Sequence, residues 1–224
     1  MRSPPRPALQ PDRHRPDRHA TEYCQRKNPL AEDGAIAARW NRMNEVRRHS
    51  NEERQPRLGV DFGRVIQGAA MAPGDEDTVF LSGGLEEALR TPPTAGAFEV
   101  LPRLVRRFEG RAWVISKCGP RIEQRTRQWL DHHDFYDRTG IARENVRFCR
   151  ARADKAVHCA ELGITHMIDD RLDVHRALCD LVPYRLLFGV QPEPIAGWVR
   201  HVPTWDDVER AVLETTDPTP PVRS

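Results

Sequence analysis

Four polar side chains stand at the ends of short apolar runs, a placement that suits them for chemistry. Asp61 closes Leu58-Gly59-Val60-Asp61 and is followed by Phe62-Gly63. Ser116 closes Ala112-Trp113-Val114-Ile115-Ser116, and Asp169-Asp170 close Thr165-His166-Met167-Ile168. Carboxylates that converge at one rim are costly unless neutralised. Mg²⁺ does this well, taking one or two carboxylates, carbonyls and water, then a substrate phosphate. A carboxylate beside such an ion can attack phosphorus and form an aspartyl-phosphate. A hydroxyl and an ammonium can then hold the transferring phosphoryl oxygens.

These residues need elements that bring them together. The three runs, with Val146–Cys149 and Tyr184–Phe188, are short and nearly continuously apolar, as strands buried on both faces of a parallel sheet must be. Helical spacing lies between them. Phe98, Leu101, Val105 and Phe108 share a face, although Pro102 costs that helix a hydrogen bond. Ile122, Thr126, Trp129 and Leu130 share another, with Pro120 in its first turn. Ala156, Val157 and Ala160 precede a C-terminal Gly163, and Leu172, Leu178 and Leu181 form the next helix. Trp205, Val208 and Val212 follow a cap at Thr204. Alternating strands and helices predict a doubly wound, mainly parallel α/β sheet, whose ligands bind outside the C-terminal strand ends.

Composition sets the bounds. The 224 residues are 38% hydrophobic and 30% charged, enough for one sizeable core but not for the whole chain to lie in it. Residues 1–56 hold seven Pro, 12 Lys+Arg and 8 Asp+Glu, and read as a disordered basic tail with a weak helix at 31–49. Met43 is an alternative start. The expected domain spans 57–215, with a flexible C-terminal tail at 216–224. Beyond the tail, 23 basic residues meet 25 acidic ones, so no global basic field advertises nucleic acid. No run spans a membrane and no secretory signal stands at the start, which predicts a cytoplasmic protein. The five Cys form no C-x-x-C pair, so reduced thiols are expected rather than a disulfide framework or a zinc site. Only three Lys stand among 32 Arg: Lys27, Lys117 and Lys155.

The order of these features resembles the haloacid dehalogenase-like (HAD) hydrolase superfamily. Its four short motifs are matched by Leu58–Ile66 around Asp61, by Trp113–Ser116, by Lys155 at a helix start and by Met167–Asp170. The resemblance implies a Rossmann-like HAD fold, with Asp61 as nucleophile and metal ligand and Ser116 and Lys155 on phosphate. It also implies Asp169 and Asp170 as ligands of Mg²⁺. Lys117 is a further candidate for phosphate. Receiver domains use similar residues but place the acidic pair first and the Lys last, so that reading fails.

One position departs from the family. Its phosphatases usually carry an Asp two residues after the nucleophile, to protonate the leaving alcohol and activate water. Here that position is Gly63, whose backbone carbonyl remains a candidate metal ligand but which has no side-chain acid. Three readings stay open: a Mg²⁺-dependent phosphohydrolase, a module that binds a phosphorylated ligand or partner without turnover, and a nucleic-acid end-processing factor using the basic tail. His132, His133 and His166 are expected to be structural or solvated. Gly63–Ala97 holds no full cap domain and is expected to form a flap hairpin, Val65–Ile66 against Val79–Leu81 with Asp75-Glu76-Asp77 at its tip, then a helix near Leu85–Leu89. Such an open cleft admits a bulky phosphorylated substrate or needs a partner as lid, and Phe98–Ser116 with the Asp169-Asp170 pair resembles the nucleotidase branch of the superfamily, which implies a nucleotide.

Overall fold

The computed structural model describes residues 55–68 and 78–216. The tail before residue 55, the helix at 31–49, the Asp75–Asp77 tip and the end of the chain from 217 lie outside the described residues. In order, the elements are β1 (Leu58–Val60), α1 (Thr78–Ser82), α2 (Leu85–Leu89), α3 (Ala97–Arg107), β2 (Ala112–Lys117), α4 (Pro120–His132), α5 (Phe135–Thr139), β3 (Val146–Cys149), α6 (Lys155–Leu162), β4 (His166–Asp169), α7 (Leu172–Ala177), β5 (Tyr184–Phe188), β6 (Arg200–Val202) and α8 (Trp205–Thr216).

All strand pairs are parallel, in the order β3-β2-β1-β4-β5-β6. This is a doubly wound α/β sheet, as the strand and helix pattern predicts. The period-two alternation of strand side chains sends Ala112 and Val114 to one face and Trp113 and Ile115 to the other. The first face packs against α3, α4, α5 and α8 through Leu101, Leu104, Trp129, Phe135, Val208 and Val212. The second packs against α6 and α7 through Cys159, Val174 and Leu178. Pro102 stays inside α3 without ending it, because Phe98, Leu101, Leu104 and Val105 are all buried along one side and hold the helix to the sheet. The Thr204 cap is present: its hydroxyl accepts the Asp207 N–H at 3.3 Å, and the Asp207 carboxylate accepts the Thr204 N–H at 3.2 Å.

The strand order reverses between β1 and β4. Chain connections leave β1 for β2 on one side and return to β4 on the other, which opens a crevice at the C-terminal ends. Close packing of these two strands requires Gly59. A Cβ there would lie 2.8 Å from Met167 Sδ, 3.2 Å from Ile164 Cγ2 and 3.3 Å from Ile115 Cδ1. Gly59→Ala is therefore expected to lower stability by about 1–3 kcal/mol through overpacking. Urea unfolding measures this, and an unchanged midpoint contradicts it.

The flap hairpin is not formed as expected. Residues 79–81 lie in the helix α1, and only Phe80 of the three is buried, against Phe62 at a ring separation of 5.6 Å. Two guanidiniums from α4 hold the helix-end carbonyls: Arg125 donates to Phe80 O at 2.5 Å and Gly83 O at 2.9 Å, and Arg121 to Leu81 O at 2.7 Å. Those contacts favour a short helix over a strand. Val65 and Ile66 are fully buried in a turn, fixed by Trp205 Nε1 donating to Val65 O and Thr94 N–H donating to Ile66 O. The helix at Leu85–Leu89 is present as expected. The described residues contain no helix long and apolar enough to cross a membrane.

Candidate functional site

Asp61 follows β1 and Asp169 ends β4, the two neighbouring strands that flank the switch in strand order. Their register sets them side by side. Val60 pairs with Ile168, and the Asp61 N–H donates to Ile168 O at 2.9 Å. Asp170 follows directly. One carboxylate oxygen from each of Asp61, Asp169 and Asp170 lies within 4.8 Å of the others. The convergence expected from the strand ends is thus present in the fold.

The counter-charges are specific. Lys155, the first residue of α6, is buried and its Nζ lies 2.8 Å from Asp61 Oδ1 and 2.6 Å from Asp169 Oδ2. The Arg64 guanidinium pairs with Asp170 Oδ2. Asp169 is oriented further by the Arg171 N–H, which donates to its Oδ1 at 2.9 Å. Its backbone carbonyl meets His175 Nε2 at 3.0 Å. In direct contact, three carboxylates thus face one ammonium and one guanidinium, so these contacts leave one negative charge unmatched when all are ionised, with the Arg171 guanidinium acting on Asp170 from further off.

Burial first, and that imbalance with it, shifts the titrations. Burial, with Asp169 alongside, pushes the Asp61 carboxyl above its ordinary range despite Lys155. Burial, with Asp61 and Asp169 nearby, pushes Asp170 up to about 7 against the pull of Arg64. Burial disfavours the Lys155 ammonium, but Asp169 and Asp61 outweigh it and hold its pKa above the usual value. In the metal-free protein the folded state therefore keeps protons on these carboxyls at a pH where the unfolded chain has released them. Stability falls as pH rises from the ordinary Asp range, about 4, towards 7. We expect the melting temperature in EDTA to drop on the order of 5 °C or more between pH 5 and pH 8, and excess Mg²⁺ to restore it more at pH 8 than at pH 5. Differential scanning fluorimetry reads both; a Mg²⁺ effect that is equal at the two pH values contradicts the expectation.

The donor set is all oxygen, largely buried and one charge too negative, which fits a hard divalent cation. Asp61, Asp169 and Asp170 are the residues that would hold it. Gly63 lies in the turn after Asp61, in a bridge with Gln67, and nothing comes within 4 Å of where its Cβ would stand.

The remaining expected residues divide. Ser116 is buried at the end of β2, beside β1 on the same rim. Lys117 is exposed, and strand alternation turns it to the face opposite Ser116. His166 is interior: it meets Thr165 Oγ1 at 2.8 Å and Thr215 Oγ1 at 2.9 Å, stacks on Tyr184, and burial pushes its pKa down to about 3. His133 ties α4 to α2 through Leu89 O at 2.9 Å. Both are structural, as expected. Cys118 is a thiol rather than a thiolate, since burial, aided by Glu123, pushes it up to about 11. Among the described residues, Cys118, Cys149 and Cys159 are free, in line with reduced thiols. Sequence reasoning missed Arg64 and His175 as partners of the acidic residues. Arg64 had one signal, its place beside Gly63; His175 had none.

No protein-family model and no curated protein matches the chain. Among solved structures it is similar to a haloacid dehalogenase-like family hydrolase from Xanthomonas campestris, at 14% identity and a TM-score of 0.48, over 72% of this chain and 96% of that one. So loose a likeness says nothing of chemistry.

Proposed function

We propose that the chain is a Mg²⁺-dependent phosphohydrolase of the HAD kind, acting on a nucleotide or another bulky phosphorylated substrate. The observation that supports it best is the meeting of three carboxylates from two adjacent strand ends with an excess negative charge. Asp61, Asp169 and Asp170, with the Gly63 carbonyl, would hold a divalent cation, which would supply neutralisation of phosphate and carboxylate charge. Asp61 is the nucleophile: a carboxylate oxygen attacks phosphorus, the ester P–O bond breaks, and the leaving alkoxide takes a proton from water. Ser116 and Lys155 hold phosphoryl oxygens as charge builds on them. Lys155 also keeps Asp61 and Asp169 oriented through its two contacts. Water then attacks phosphorus of the aspartyl-phosphate, the P–O bond to Asp61 breaks, and inorganic phosphate, a proton and the free carboxylate result. Lys117 stays the weaker phosphate candidate, given its exposure.

Gly63 supplies no acid for the leaving group, an effect worth on the order of 10²–10⁴ in rate. A Cβ added at Gly63 meets nothing within 4 Å, so a side chain can start there without a clash. Gly63→Asp is expected to raise Mg²⁺-dependent hydrolysis of an alkyl phosphate by about 10²-fold. It should raise p-nitrophenyl phosphate hydrolysis less, because p-nitrophenolate leaves without help. Steady-state rates with Mg²⁺ and with EDTA test the proposal. Activity in the wild-type protein supports the enzyme. Activity only in Gly63→Asp supports the second reading, a module that binds a phosphorylated ligand without turnover. No Mg²⁺-dependent hydrolysis in either protein, on a broad panel of phosphorylated metabolites, removes the phosphohydrolase.

A further inference from the structure

We propose that Arg64 is an internal counter-ion that occupies Asp170 in the metal-free protein, so that a divalent cation binds by displacing it and Arg64 sets the metal affinity. The inference rests on reading the carboxylate cluster as a metal centre. Lys155 contacts Asp61 and Asp169 but is not paired with Asp170, and Arg64 takes that third carboxylate. The side chains of this pair are 24% and 10% exposed, so water screens it weakly. A guanidinium and a dication compete for the same carboxylate oxygen and repel each other across it.

The backbone at Arg64 is held in a costly conformation. Arg64 adopts the left-handed conformation, φ 61°, which side chains other than Gly rarely take. The turn around it is closed by Arg64 N–H donating to Gln67 O at 2.7 Å and by Ile66 and Gln67 N–H donating to Phe62 O at 2.9 and 3.0 Å. Val65 and Ile66 are fully buried, and Val65 O is tied to Trp205. The backbone is therefore fixed, so clearing Asp170 takes a swing of the long Arg64 side chain.

Arg64→Gly tests this most cleanly, because Gly takes φ 61° without strain and removes the guanidinium; Arg64→Gln is the second variant. Titration of Mn²⁺ followed by the EPR signal of the free ion gives the affinity of each full-length protein, with Asp169→Asn as control. We expect both Arg64 variants to bind Mn²⁺ about tenfold or more tightly than wild type, and Asp169→Asn to lose binding. Equal or weaker binding by both variants, beside measurable wild-type binding that Asp169→Asn abolishes, overturns the role of Arg64 and leaves the metal centre standing. Absence of binding in wild type and variants alike removes the metal centre, and the counter-ion role with it.

Discussion

Asp61→Asn is expected to reduce phosphate-ester hydrolysis by at least about 10³-fold, because an amide cannot form the acyl-phosphate. The same change should leave the melting temperature within a few degrees of wild type, or raise it. Asn fills the same space and removes a carboxylate whose burial already disfavours its charge. Lys155 keeps its contact to Asp169 at 2.6 Å, so no ammonium is stranded. Loss of activity with the fold intact separates a reacting group from a structural one. Retention of more than a tenth of the wild-type rate, with the fold unchanged, means that Asp61 does not attack the substrate.

Lys155→Met is expected to be the most destabilising single change near the site. It removes the ammonium that touches both Asp61 and Asp169 and leaves two buried carboxylates to repel each other. Breaking a buried pair from one side typically costs about 3–5 kcal/mol. The cost depends on pH, since the carboxyls can escape it by taking up protons, so urea unfolding in EDTA should show a larger loss at pH 8 than at pH 5. Excess Mg²⁺ should recover part of the loss by standing in for the missing charge. The double variant Asp61→Asn/Lys155→Met should be less destabilised than the sum of the two single changes, which measures the coupling between the two residues. A loss below about 1 kcal/mol in EDTA at pH 8 would mean that Lys155 is not the keystone of this charge arrangement.

Much of this arrangement was legible in the sequence, for a physical reason. A strand buried on both faces must be apolar along its length, so a polar residue at its C-terminal end stands out. Asp61, Ser116 and Asp169 were found that way, and the parallel sheet places all three at one rim. Lys155 was found through the resemblance, but its place between two carboxylates needed coordinates, because nothing local tells an ammonium on phosphate from one on Asp. The Arg64–Asp170 pair was hidden because β1 and β4 lie far apart in the chain and meet only through the strand order. The strand β6 was missed because only Val202 of its three residues is buried. The region around Phe80 was misjudged because three consecutive apolar residues carry no period, and the Arg121 and Arg125 contacts that decide for a helix come from a distant element. Lys117 is a case where the signal was present: adjacent strand residues face opposite ways, so Ser116 and Lys117 do not share a face.

The central claim is that carboxylates from β1 and β4 share one divalent cation. Crystals soaked in Mn²⁺, with data collected to locate the ion by its anomalous scattering, test it most directly. One strong peak is expected at the C-terminal rim, within about 2.0–2.3 Å of oxygens of both Asp61 and Asp169, with the Arg64 side chain displaced from Asp170. Full Mn²⁺ occupancy elsewhere, with Lys155 and Arg64 still on their carboxylates, would contradict it.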